Sequence, residues 1–175
     1  WEFGLVTRDR KPKRAFHVLK ERLAGEGYVT QYVHLPKYPR VSVVVCSYNG
    51  AKTLKDCLES LDLVQYPDFE IVLVDDGSKD NTQALVKEDV DARTLRERRT
   101  GRRAPDFINI VQVNMGLSYA RNVGARASSG EIVAYTDSDC MADPDWLYYM
   151  VGTLLSGDYV GVGGPNISPP AVDWI

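Results

Sequence analysis

The chain has 175 residues, room for about one domain and a short additional piece. It carries 21 Lys+Arg against 24 Asp+Glu, a formal net charge of −3, with 26% charged and 44% hydrophobic residues. That is an ordinary globular composition, which excludes extended disorder and low-complexity classes. No apolar run approaches the ~18 residues that a membrane-spanning helix needs.

The start, Trp1-Glu2-Phe3-Gly4, has neither an initiator Met nor a signal peptide, which predicts a piece of a longer protein. Three cysteines, Cys46, Cys57 and Cys140, stand too far apart for a zinc ribbon and are odd in number, which suits the reducing cytoplasm. With only His17 and His34 and no G-x-S-x-G elbow, a Ser-His-Asp hydrolase and a His-rich metal centre are excluded. Basic residues gather at Arg8 to Arg14 and again at Arg96 to Arg103. In an acidic chain, without interleaved aromatics, these runs read as solvated loops, and no nucleic-acid partner is expected.

In chain order, Arg14 to Ala24 predicts a helix stopped by Gly25-Glu26-Gly27. Tyr28 to Pro39, broken by Pro36, reads as a linker. Residues 1–36 are thus expected to be the tail of a preceding domain plus linker, and 37–175 the main domain. Val41 to Cys46 predicts a buried strand, and Leu54, Cys57, Leu58 and Leu61 one face of a helix. Glu70 to Val74 predicts a second strand, followed by a helix capped by Ser78 that runs from about Asp80 to Val90 or beyond. Arg99 to Asp106 reads as a polar loop and Ile108 to Val113 as a third strand. Ser118 would cap a helix whose small inner face is Ala120, Val123, Gly124 and Ala127. Glu131 to Thr136 predicts a fourth strand. Asp143-Pro144 predicts the start of a helix through about Leu155, and Tyr159 to Val162 a fifth strand. Four strand–helix alternations predict an α/β fold, a mostly parallel sheet with helices on both faces.

Ligands of such sheets sit outside the carboxyl ends of the strands. Those ends deliver Cys46-Ser47-Tyr48-Asn49-Gly50, Asp75-Asp76-Gly77-Ser78, Asn114-Met115-Gly116 and Asp137-Ser138-Asp139. Carboxylates crowded on one rim repel one another unless a divalent cation, Mg or Mn, relieves them. If strand geometry continues through Asp137 and Asp139, their side chains leave one face about 7 Å apart. One would then ligate directly and the other act through water or on a sugar hydroxyl. Each motif alone is a competent cap or turn; their joint placement at successive strand ends carries the signal.

Four blocks, Val41-Ser-Val-Val-Val-Cys-Ser-Tyr-Asn-Gly50, Glu70-Ile-Val-Leu-Val-Asp-Asp-Gly-Ser-Lys-Asp-Asn-Thr82, Asn114-Met-Gly-Leu-Ser-Tyr-Ala-Arg-Asn-Val-Gly124 and Gly130-Glu-Ile-Val-Ala-Tyr-Thr-Asp-Ser-Asp139, together resemble the family 2 glycosyltransferases. The resemblance covers about residues 41–165. It implies an A-type glycosyltransferase (Rossmann-like) fold, stopping before the acceptor half. It also implies transfer of a sugar with inversion, from a nucleoside diphosphate sugar, UDP by family habit, to a saccharide or other hydroxyl acceptor. By the same resemblance Cys46, Tyr48 and Asn49 belong to the nucleotide-sugar site, Tyr48 by its ring. Asp76 would accept a hydrogen bond from the base, Asp137 would lie near ribose or sugar, and Asp139 would be the metal ligand. Arg121 and Asn122 match the family's A-R-N, either in helix packing or in bracing a loop.

The family's catalytic base comes downstream, so no residue is assigned that role; Asp143, Asp145 and Asp158 are the available carboxylates. Any membrane association would come through other parts of the parent protein. The rival within the resemblance is a fragment that binds the donor without transferring it. Trp1 to Phe16 also resembles the last strand-to-helix segment of a β/α-barrel glycoside hydrolase. A dinucleotide oxidoreductase would need G-x-G-x-x-G after the first strand, where Ser47-Tyr48-Asn49-Gly50 stands instead. A sugar nucleotidyltransferase would need a Gly-rich, Arg-containing loop at the same place.

Overall fold

Alternate residues of a strand point to opposite faces, so a run that is apolar at every position must be covered on both sides. Val41–Ser47 (β1) and Phe69–Asp75 (β2) are such runs, and every residue in both is buried. The computed structural model describes residues 37–101 and 103–164. The chain separates into two compact units, Trp1–Tyr32 and Val33–Ile175, and the described residues belong to the second. The expected helix at Arg14 to Ala24, most of the linker and the hydrolase-like segment lie outside them.

Among the described residues, four strands form one parallel sheet in the order β3-β2-β1-β4, with β3 at Asp106–Val111 and β4 at Ile132–Asp137. Three helices connect them, α1 Leu54–Asp62, α2 Thr82–Thr100 and α3 Leu117–Ala127, and a fourth, α4 Trp146–Leu155, follows β4. One face of the sheet, with Val41, Val43, Val45, Ile71 and Leu73, packs on α1 (Leu54, Leu58, Leu61), α2 (Val86) and α4 (Leu147, Val151). The other face, with Val44, Cys46, Val72 and Val74, packs on Ala120, Val123 and Ala127 of α3. A Cβ on Gly124 would stand 2.4 Å from Val44 Cγ1, so only glycine lets α3 approach this closely. The expected layering is present.

Several boundaries differ from expectation for local physical reasons. Helix α2 continues ten residues past Val90, to Thr100, and ends where Gly101 takes φ 67° and donates its N–H to the Glu97 carbonyl. Its later turns are held by charge: Arg93, only 4% exposed, pairs with Asp62 and Asp89 and lies 5.2 Å from the Phe107 ring centroid. Strand β3 starts and ends two residues early, because its partner β2 ends at Asp75; the ladder closes with Asp75 opposite Val111, and Val113 is 80% exposed. None of Ser78, Ser118 and Asp143 is the N-cap. Those positions belong to Asn81, Gly116 and Asp145. Tyr159 to Val162 is not a strand; β4 pairs only with β1 among the described residues, so this segment has no ladder to join.

Candidate functional site

Parallel register fixes which strand ends are neighbours: Ser47 lies opposite Asp75, and Cys46 opposite Asp137. The β1 end therefore stands between the two acidic strand ends. Tyr48 follows with half its surface exposed, and Asn49 takes φ 54°, a left-handed conformation that Asn tolerates better than most residues. Asn49 locks that loop to the next one. Its N–H donates to Ser78 Oγ (2.8 Å), and its Oδ1 accepts from the Lys79 N–H (2.8 Å). The Ala51 N–H reaches Asp80 Oδ2 at 3.0 Å, which sets the entry to α1.

The two β2 carboxylates are committed to the protein. Asp75, fully buried, accepts from the Ser78 N–H (2.9 Å) and Gln83 Nε2 (2.5 Å). Asp76 Oδ1 accepts from Gln112 Nε2 (2.7 Å) and the Met115 N–H (2.9 Å), and Oδ2 from the Gly116 N–H (2.8 Å). Burial opposes the Asp76 charge, but these three bonds outweigh it and hold the carboxyl below its ordinary range. Asp76 thereby fixes the turn between β3 and α3, with one of a carboxylate's four lone-pair positions left over. Gly77, at φ 78°, fits where a Cβ would meet the Asn114 N at 2.7 Å.

The expected crowding of all four carboxylates is thus not what the rim holds. Asp137, Asp139 and Cys140 form the separate group, their ligand atoms all within 4.8 Å of one another. Continued strand geometry would set the two side chains about 7 Å apart where they leave the backbone; here the chain turns instead. The strand ends at Asp137, and a turn closed by the Cys140 N–H on the Asp137 carbonyl (3.0 Å) swings Asp139 back. Helix α1 supports that turn. Cys57 Sγ lies 3.6 Å from the Asp137 carbonyl, and the Ala142 N–H donates to Ser60 Oγ at 2.9 Å. The two carboxylates are hard oxygen donors that fit a divalent cation such as Mg or Mn, whereas the adjoining Cys140 thiol is a soft group that such an ion does not favour.

Arg121, on α3, donates from Nη2 to Asp137 Oδ1 at 2.9 Å, so the A-R-N arginine braces the acidic turn. Burial pushes the Cys46 thiol up to about 11, with Arg121 opposing, so Cys46 stays protonated at neutral pH and is not a nucleophile. Residue reasoning alone missed Gln112, which reads as a strand residue, and Cys140, whose place beside the acids depends on the turn. Adjacency to Asp-Ser-Asp was the available signal for Cys140.

The model of Glycosyl transferase family 2 matches residues 42–173. An uncharacterized glycosyltransferase from Nostoc sp. is 36% identical over 124 residues, covering 70% of this chain and 35% of the relative. The mannosyltransferase PcManGT from Pyrobaculum calidifontis, solved in complex with GDP-Man and Mn2+, superposes with a TM-score of 0.61 at 27% identity, over 69% of this chain and 34% of that one. TarS from S. aureus, in complex with UDP-GlcNAc, gives a TM-score of 0.56 at 26% identity over 73% and 37%. The chain therefore spans about a third of the length of these proteins. The sheet order, the motif-bearing strand ends and these likenesses agree on the A-type glycosyltransferase fold. The chain belongs to glycosyl transferase family 2.

Proposed function

We propose that this domain binds a nucleoside diphosphate sugar, UDP-linked in the first instance, and serves its transfer with inversion to a hydroxyl of a saccharide acceptor. The observation that carries the reading is the grouping of Asp137, Asp139 and Cys140 at the β4 end, beside the lip that presents Tyr48. Tyr48 offers an exposed ring to the base, within a loop that Asn49 holds rigid. Cys46 lines the base of the lip between Asp76 and Asp137. Asp76 keeps the β3–α3 turn in place and has a remaining lone pair for the base. Asp139 would ligate the cation, and Asp137, already paired with Arg121, faces ribose or sugar.

Bound there, a divalent ion would supply positive charge to the departing diphosphate. The acceptor oxygen attacks the anomeric carbon from the opposite side and gives up its proton. The bond to the phosphate oxygen breaks with its electron pair leaving on the diphosphate. The residue that takes the proton is outside those assigned here. The free thiols of Cys46, Cys57 and Cys140 support a reducing, cytoplasmic setting.

Calorimetry with UDP, with and without Mn2+, tests the reading. UDP should bind the native chain in a Mn2+-dependent manner, Asp139→Ala should lose that dependence, and Glu88→Ala, on the exposed side of α2, should keep it. Equal Mn2+-dependent affinity in Asp139→Ala and the native chain would contradict it.

A further inference from the structure

Arg121 sits one turn into α3, next to the fully buried Ala120. From that anchored position its guanidinium reaches Asp137, whose side chain is 54% exposed while that of Arg121 is 41% exposed. Asp137 and Asp139 already lie close enough to share an ion. Oxygens around one cation at about 2.1 Å stand at most about 4.2 Å apart, little less than the 4.8 Å spread of this group. The ion pair changes what they can do. It neutralises one of the two carboxylates, and a cation entering the group must compete with the guanidinium for Asp137 Oδ1. A bare cation is then left with one unopposed carboxylate. A diphosphate supplies both further oxygen ligands and the missing negative charge.

We propose that Arg121 is a positioning residue that withholds Asp137 from the ion, so that a divalent cation is held firmly at Asp139 only together with a diphosphate. The inference rests on the donor-binding reading above and adds an order to it: ion and nucleotide are held as a pair, and the acidic turn holds metal more weakly when the donor is absent. Helix packing alone would not produce this behaviour, because removing a packing residue loosens a site and weakens its hold on every ligand.

The test is titration of free Mn2+, followed by electron paramagnetic resonance, without nucleotide and then with UDP, on folded protein verified by circular dichroism. Arg121→Ala should bind bare Mn2+ roughly three- to tenfold more tightly than the native chain, from release of a surface ion pair and loss of a nearby positive charge. The enhancement of Mn2+ affinity by UDP should shrink by a similar factor. Arg121→Lys, which keeps the charge, should stay near the native value, and in an Asp137→Asn background Arg121→Ala should bring no gain. If Arg121→Ala binds bare Mn2+ no more tightly than the native chain, or if the gain survives in Asp137→Asn, the proposal is overturned. Native protein that retains no Mn2+ even with UDP would instead overturn the donor-binding reading itself, and this inference with it.

Discussion

Asp76 shows how much one carboxylate organises. It is 4% exposed, yet it is charged, because two backbone amides and Gln112 donate to it. Replacement by Asn puts an NH2 group against those donors. We expect Asp76→Asn to lower unfolding stability by about 1–3 kcal/mol in urea titration, and Gln112→Ala by about 1 kcal/mol. An unchanged midpoint in Asp76→Asn would show that the amides do not need the charge. The placement of Tyr48, Asp76 and Asp139 just past three strand ends was legible in the sequence, because a parallel sheet delivers its strand ends to one rim. The partners of Asp76 were not, because Gln112 and the Met115 and Gly116 amides reach it across 36 to 40 residues of chain. Which geometry Asp137 and Asp139 take was not legible either, because Asp-Ser-Asp can continue a strand or start the turn that closes at Cys140.

Elements were legible where burial is apolar and illegible where it is ionic. The strands β1 and β2 and the inner face of α1 follow directly from their Val, Ile and Leu spacing. Helix α2 does not, since beyond Val90 its one buried group is Arg93, which meets Asp62, while the exposed Arg96 pairs with the same carboxylate from the surface. Apolar periodicity cannot register a guanidinium. The small inner face of α3 is the opposite case, where an unremarkable residue type carries a steep packing demand. Gly124→Ala would gain up to about 1 kcal/mol in helix propensity. The added Cβ meets a Val44 that is itself fully buried, and overpacking of this kind costs about 1–3 kcal/mol. We expect net destabilisation in thermal unfolding, partly recovered by Val44→Ala in the same chain. A higher melting temperature for Gly124→Ala alone would mean that α3 can move off the sheet at little cost.

The molecule divides its charge between the two ends of the sheet. At the amino end, Glu70 accepts from Ser42 Oγ, from Ser129 N–H and Oγ, and from Arg40, which also binds Asp68 and Asp106. This network ties the segment following α3 to β1 and β2. A groove of about 880 Å3 opens at the same end, and its Arg40, Arg93, Arg96 and Arg103 are each paired with carboxylates. Burial raises the Glu70 carboxyl, but the hydrogen bonds prevail and hold it near 2, below its model-peptide value of 4.5. A depressed carboxyl stabilises the fold above its unfolded pKa and loses that contribution as pH falls through the folded one. Glu70 should thus supply about 3 kcal/mol at neutral pH, fading between about pH 4.5 and pH 2. Unfolding titrations of Glu70→Gln should show a flatter acid limb than the native chain; parallel limbs would remove Glu70 from the account.

At the carboxyl end Asp75 and Asp76 serve the fold, and the proposal that Asp137 and Asp139 serve a ligand is the central claim. Paramagnetic broadening by Mn2+ in the presence of UDP tests it most directly, read on assigned backbone amides of the whole chain. The account predicts broadening centred on Asp137 to Cys140, extending to Cys46 to Asn49, with the amides around Arg40, Glu70 and Ser129 left sharp. Broadening centred on the amino end of the sheet, or none at the Asp137 to Cys140 turn, would contradict it.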